Sequence, residues 1–459
     1  MKRNAKKVIS ILAAVSCLLA GSLVGNLHSS LPDLQVTAEA AETLTYTDPL
    51  SGAQFTYAYL EDGTIAITDC EELAVSVQIP AEIDGVAVTE IGRAAFLGCT
   101  ALATITIPDG VTKIDSQAFY NCESLVAVTI PDSVTEIGSY AFYCAGLTTI
   151  HIPDTITEFG GQAFTGTPWL LEKLKENPFV VVNNVLIDNL QCAEDYDIVI
   201  PDGVTIIGKD AFYHNTVCTT ITIPDSVTKI ETYAFSGCTS LSTIAIPDSV
   251  TEIGGGAFSG CTALANITLS DHVTTIGHLA FSGCKSLAAI TIPDGVTTIG
   301  NWAFAECESL TAVTIPSSVT NIGVYAFENC TALTAVTIEN SLCEISDSDT
   351  TISDTATIYG YTGSTAEAYA NKYNRTFVPL DAEILRKGDV NGDGVVSVED
   401  AVLTLTMYAR KSAGLTVDCS DAQLAAADID GDGNISVEDA VAILTYYAKQ
   451  SAGLNPTWD

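Results

Sequence analysis

At 459 residues, of which 47% are apolar and 7% aromatic, the chain is long enough for more than one domain and carries ample material for a core. Its 18 lysines and arginines stand against 56 aspartates and glutamates, a formal net charge of −38. So acidic a chain excludes nucleic acid and anionic membrane as partners and suits a protein that meets calcium.

Residues 1–40 read as a signal peptide. Lys2, Arg3, Lys6 and Lys7 precede the apolar run Val8 to Val24, and Ala38-Glu39-Ala40 suits a signal peptidase, so the mature, secreted chain starts near Ala41. Cys17 offers a lipoprotein alternative, which Ala14 and the apolar sequence beyond the cysteine weaken. No other stretch is long and apolar enough for a membrane span.

Residues 44 to 79 predict an N-terminal cap, with strands over Phe55 to Tyr59 and Thr64 to Thr68 turning at Asp62-Gly63. A unit beginning with proline then recurs, at Pro108, Pro131, Pro153, Pro201, Pro224, Pro247, Pro293 and Pro316, mostly in steps of 23 residues, with Ser270 and Glu339 in the same slot. The first unit, from Pro80, is five residues longer. Such a unit buries too little apolar surface to fold alone, so its copies must stack. In the copy from Pro247, Leu264, Ile267 and Leu269 alternate with polar residues as one strand, Val250, Thr251 and Ile253 suggest a second, and Gly254 a turn. Ala257-Phe258 is expected to form a single tight helical turn that drops the phenylalanine inside.

The unit from Pro153 carries an insertion, with a short helix expected over Trp169 to Lys175 and a hairpin over Val180 to Ile187 turning at Asn183-Asn184. It reads as a partner-binding projection or as a variant coil, since Ile198 and Ile200 restore the strand phase. Beyond Glu339 a C-terminal cap is expected: strand Thr357 to Tyr361, helix Ser364 to Tyr373 with a Ser364/Glu367 capping box, and strand Arg375 to Val378.

Three columns follow from the repeat. Cys99, Cys122, Cys238, Cys261, Cys284, Cys307 and Cys330 share a slot that Asn215 fills in its own unit. Their side chains would point in parallel directions, which favours a buried thiol ladder over disulfides. Threonines such as Thr112, Thr228, Thr251 and Thr320 hold another phase and suit a structural hydrogen-bond ladder. Tyr140, Tyr233, Trp302 and Tyr325 stand just before the Ala-Phe pair, as a ligand stripe for polysaccharide or as packing against the neighbouring coil. His151, His214, His272 and His278 fall at unrelated phases with no nucleophile, zinc or phosphate motif around them, so no catalytic residue is expected. The unit, repeated from about residue 79 to 345, resembles the BspA-type leucine-rich repeat, which implies a mainly β solenoid with a binding habit.

The tail changes character. DVNGDGVVSVED at Asp389 to Asp400 and DIDGDGNISVED at Asp428 to Asp439 are twelve-residue loops spaced by 39, each followed by the same apolar helix pattern. Calcium takes six to eight oxygens, and such a loop turning at its sixth position supplies them. Asp389, Asn391, Asp393, Val395, Ser397 and Asp400 would hold one Ca2+ and Asp428, Asp430, Asp432, Asn434, Ser436 and Asp439 a second, with Ser397 acting through water. Loops ended by aspartate, in tandem, resemble a type I dockerin over about Lys387 to Leu454. That resemblance implies a small α-helical domain that docks onto the cohesin module of a scaffold protein, as in cellulosomes. It further implies two partner-binding faces, Val398, Glu399, Thr406 and Arg410 in one half and Val437, Glu438, Thr445 and Lys449 in the other.

The sequence therefore divides into a signal at 1–40, a capped solenoid at 41–380 and a dockerin at 386–454. It reads as a secreted, noncatalytic binding or adhesion protein held on a cellulosome-type scaffold, associated with polysaccharide degradation, its repeats binding polysaccharide or a surface protein. A catalytic hydrolase acting on plant cell-wall polysaccharide is the alternative.

Overall fold

The computed structural model describes residues 44–49, 52–71, 73–189, 197–381, 385–417 and 419–458. The signal expected at 1–40 lies outside the described residues. Each 23-residue unit makes one coil of a β solenoid, tied to its neighbours on three sides. In the coil from Pro247, Val250 N donates to Pro247 O at 3.0 Å and closes the turn after the proline. The strand Glu252–Ile253 follows, in register with Lys229–Ile230 of the preceding coil. On another side, Asn266–Thr268 pairs in parallel with Thr243–Ala245, placing Ile267 beside Ile244. Short strands of the first kind continue the strands of the N-terminal cap into an eight-stranded sheet before the insertion, and continue the insertion's own hairpin into a nine-stranded sheet after it.

The third side corrects the sequence reading, because the segment around Ala257-Phe258 is not helical. Gly256, Phe258 and Gly260 donate their N–H groups to His278, Ala280 and Ser282 of the next coil at 2.7, 2.8 and 2.7 Å, while Ala257, Ser259 and Cys261 bond back within their own coil. Alternate amides thus face opposite ways, which a helix forbids. The switch needs left-handed backbone at both ends of the segment, with φ of 62° at Gly256 and 72° at Gly260. The same slots hold Tyr233 at 57°, Trp302 at 54° and Tyr325 at 60°, a conformation that disfavours bulky side chains and persists here because the neighbouring coil fixes it.

Side chains on these three sides meet in a core divided into two clusters, one on each side of the insertion. The phenylalanines form a column, with ring centroids 5.2 Å apart for Phe235 and Phe258 and 5.4 Å for Phe258 and Phe281. The slot cysteines Cys122, Cys238, Cys261, Cys284, Cys307 and Cys330 are thiols rather than disulfides. Cys238, Cys261, Cys284, Cys307 and Cys330 each donate to the carbonyl of the preceding coil's phenylalanine at 3.1–3.3 Å. Burial pushes the Cys330 thiol up to about 12, so it stays protonated and a poor nucleophile. Asn215 takes the slot with its carbonyl oxygen, accepting from Val217 N and Cys218 N, and its amide reaches Asn189. The threonines bond back one coil, as in Thr228 Oγ1 to Thr205 O at 3.2 Å and Thr320 Oγ1 to Thr297 O at 3.1 Å.

The N-terminal cap is a three-stranded antiparallel sheet, Leu44–Thr47, Gln54–Tyr59 and Ile65–Cys70, whose last strand pairs in parallel with Val86–Ile91 of the first coil. The five extra residues of that coil form a hairpin, Glu82–Ile83 with Val86–Ile91, turning at Asp84 and Gly85. In the insertion, helix α1 (Pro168–Glu176) starts from Thr167, whose hydroxyl accepts from Leu170 N. Phe179–Val182 and Val185–Asn189 then form the hairpin, with Asn183 and Asn184 both left-handed. Its second strand pairs with Ile206–Ile207, so the insertion supplies a coil to the stack. The C-terminal cap is strand Thr357–Gly360, helix α2 (Thr365–Lys372) and strand Phe377–Pro379. The expected capping box is displaced by one residue: Ser364 Oγ accepts from Glu367 N, but the Glu367 carboxylate accepts from Gly363 N at 2.6 Å.

Asp188 is half-buried in that hairpin. Desolvation raises its carboxyl to about 6, against hydrogen bonds from Asn189 and Thr165 that favour the charge. A folded-state value above the unfolded one means that stability is withdrawn as pH climbs from near 4 through 6. Asp188→Asn should therefore raise stability at neutral pH by about 1–2 kcal/mol and leave it unchanged near pH 4, as read by urea titration at both pH values.

Candidate functional site: two acidic loops and their helices

Each loop runs into a helix of equal length, α3 (Val398–Ser412) and, beyond the short α4 (Asp421–Ala427), α5 (Val437–Ser451). The loops are shaped by carboxylates gripping backbone amides. Asp389 accepts from Gly392 N at 3.1 Å and Gly394 N at 2.9 Å, and Asp428 accepts from Gly431 N at 2.7 Å and Gly433 N at 2.9 Å. Gly394 and Gly433 sit at φ of 85° and 81°, so the sixth position of each loop demands glycine. Carboxylate oxygens of Asp428, Asp430 and Asp432 lie within 4.8 Å of one another. In the first loop Asn391 and Asp393 take the corresponding places, joined by a 3.0 Å hydrogen bond. An alternating set of hard oxygens around a tight turn is what calcium coordinates, so these residues fit the ion.

Ser397 and Ser436 are also the N-caps of α3 and α5 and form capping boxes with Asp400 and Asp439. Asp400 is fully buried and accepts from Val390 N at 2.7 Å, Asn391 N at 2.9 Å and Ser397 N at 2.8 Å. Asp439 repeats this with Ile429 N and Ser436 N at 2.7 and 2.8 Å. Burial alone opposes its charge, but the hydrogen bonds from Ser436 and from the backbone of Ile429 and Asp430 outweigh it and lower its pKa. The twelfth residue thus ties each loop to its helix.

The eight residues assigned to docking, Val398, Glu399, Thr406 and Arg410 with Val437, Glu438, Thr445 and Lys449, are all exposed. They fall on matching turns of α3 and α5. Val402 and Val441 are exposed beside them, at 56% and 55%, one turn beyond Val398 and Val437. The sequence analysis missed this pair, although its signal, V-E-D-A-V in both halves, is plain. Between the helices lies a small core of Val390, Ala401, Met407, Ala426, Ala427, Ile429, Ile435 and Ile443.

A closure across the domain was also missed. The Trp458 ring stacks on Tyr446, 4.0 Å between centroids, and lies against Gly388, where a Cβ would come within 2.2 Å of it. Trp458→Ala should lower dockerin stability by about 1–3 kcal/mol without removing calcium binding, as measured by thermal melting and calcium titration.

Trp302 meets Tyr325 at 5.2 Å and His278 at 5.3 Å, Tyr233 lies over Gly256 of the next coil, and Tyr140 stands against Tyr143 at 5.7 Å. A second slot, just after the core phenylalanine, holds Tyr120 and Tyr143, stacked at 4.9 Å. Of these ring pairs only Tyr120–Tyr143 is face to face, the other contacts being tilted or edge-on.

The BspA type leucine rich repeat region matches residues 72–179, 190–311 and 258–358, in 6 copies, and the type I dockerin domain matches residues 387–446. Similar solved structures include a leucine-rich repeat protein from Bacteroides ovatus, at 23% identity, covering 67% of this chain and 98% of that one, with a TM-score of 0.35. A leucine rich cell surface protein from Faecalibacterium prausnitzii is 29% identical over 68% of this chain and 97% of that one, with a TM-score of 0.32. A leucine-rich repeat protein from Eubacterium ventriosum is 22% identical over 67% and 96%, with a TM-score of 0.40. No curated protein matches the chain. No helix among the described residues is long and apolar enough to cross a membrane. The repeats that fill most of this sequence, and the duplicated loops that follow them, make the chain a member of the BspA-type leucine-rich repeat family that carries a type I dockerin domain.

Proposed function

We propose that this is a secreted, noncatalytic binding protein that a calcium-loaded dockerin at 386–454 plugs into a cohesin module of a cellulosome-type scaffold, in a complex that degrades polysaccharide. The Asp389–Asp400 and Asp428–Asp439 loops would each hold one Ca2+, which would supply positive charge among the aspartates, while Asp400 and Asp439 tie each loop to its helix. The solenoid at 41–380 then presents its repeats to polysaccharide or to a surface protein. The observation that carries this reading is the duplication: two acidic loops lead into two helices with matching exposed residues at the same turns, Arg410 in one answering to Lys449 in the other.

Because the halves match, either face can meet a cohesin. Changing Val398 and Glu399 to alanine should leave capture by a cohesin panel within a few-fold of the unsubstituted chain, and so should Val437 and Glu438 changed alone. All four together should reduce capture by at least a hundredfold, with calcium loading intact. Loss of capture in either two-residue variant would show that the faces are not equivalent.

A further inference from the structure

The C-terminal cap carries a cleft of about 600 Å³ whose walls come from three successive levels of the stack: the coil of Phe327, the turns at 349–355, and the end of α2. Every lining residue bears a hydrogen-bonding side chain, including Asn329, Asp349, Asp354, Asn374 and Arg375. Such a wall excludes an apolar occupant, and its size is that of a small-molecule site.

The cleft is held open by bonds made at its edge. Lys372 and the Tyr373 hydroxyl both engage Asp347, and the Arg375 guanidinium donates to Asp349 O. Arg375 Nε is nevertheless buried without a hydrogen-bond partner, and the exposed side chains of Asn329, Asn374, Asp349 and Asp354 make no hydrogen bond to another described residue. Asn329 and Asn374 stand at φ of 57° and 53°, so the backbone itself fixes where their amides begin. Carboxylates that accept, beside amides that both donate and accept, match neighbouring hydroxyl groups on a saturated ring, each of which is donor and acceptor at once. Glu328, Asp349 and Asp354 outnumber Lys372 and Arg375 around the cleft, and the chain carries −38, so an anionic ligand is repelled.

We infer that this cleft binds a neutral oligosaccharide, a proposal that gives the polysaccharide contact of the proposed function a place and a chemical class. Calorimetric titration of the full chain with cellohexaose, xylohexaose and mannohexaose should give saturable binding of at least one, and tetragalacturonate should give none. Asn329→Gly with Asn374→Gly removes both amides while keeping left-handed backbone that glycine adopts freely. This pair should lower affinity at least tenfold with unchanged melting. Binding by none of the three neutral sugars, binding of tetragalacturonate alone, or loss in Trp302→Ala but not in the glycine pair would each overturn the proposal. Cohesin capture by the same samples reads the docking function separately, so its failure counts against docking and not against the cleft.

Discussion

Chelating calcium should melt residues 386–454 and abolish cohesin capture while leaving the unfolding of the solenoid where it was. The dockerin core holds only a handful of small and medium side chains, several of them alanines, and a domain of this size rarely holds together on such a core alone. It also buries Asp389, Asp400 and Asp439 to 3%, 0% and 1% exposure, and it gathers Asp428, Asp430 and Asp432 within 4.8 Å. Without a cation the clustered carboxylates of Asp428, Asp430 and Asp432 repel one another. An ion that binds the folded form alone, at a thousand times its dissociation constant, stabilises by about 4 kcal/mol per site. That is comparable to the whole stability of so small a domain. Far-UV circular dichroism in calcium and in chelator should show loss of the α3 and α5 signal, restored on adding calcium back. Asp389→Ala with Asp428→Ala should behave as the chelated protein does even in calcium. A tail that keeps its helices and its hold on cohesin in chelator sinks the account of both loops.

What the sequence reveals here follows the range of the interaction that fixes each feature. The acidic residues of each loop lie within twelve residues of one another, so their spacing is legible without a structure. Coils are legible for a related reason: a residue's neighbour in the stack is its own counterpart 23 positions away, and the period prints the contact in the sequence. The segment around Ala257-Phe258 was misread because its conformation is dictated by the amides and carbonyls of the next coil. Nothing in the local residues announces left-handed backbone at Tyr233 or Trp302, where propensity argues against it. The contacts of the stripe aromatics depend on which residue the next coil carries in that slot, as with Tyr233 over Gly256. Trp458 reaches Gly388 across the whole dockerin, and no pattern in either stretch marks the pair. By contrast, the hairpin at Asp84-Gly85 and the α4 box of Ser420 with Gln423 carried ordinary local signals that the sequence analysis passed over.

Phe258→Ala should be the most damaging single change in the solenoid, costing about 3–5 kcal/mol. The ring is fully buried, with Phe235 stacked 5.2 Å away on one side and Phe281 5.4 Å away on the other. Truncation leaves a cavity that neither neighbour can fill, because both are held by the backbone bonds Phe235 N to Ala257 O and Phe281 N to Ala303 O, each 2.8 Å. Stability in a stack is a sum of coil terms and interfaces between adjacent coils. One missing ring therefore weakens two interfaces at once and splits the array into halves that no longer unfold together. Phe258→Leu, which keeps most of the volume, should cost less than about 1.5 kcal/mol and preserve a single transition. Trp169 lies on one side of the weakened coil and Trp302 on the other, so urea unfolding followed in variants keeping one of these tryptophans at a time reports each half. The two midpoints should coincide in the parent and in Phe258→Leu and separate in Phe258→Ala. Coincident midpoints with a loss below about 1 kcal/mol in Phe258→Ala would show that the column fills space without coupling the coils.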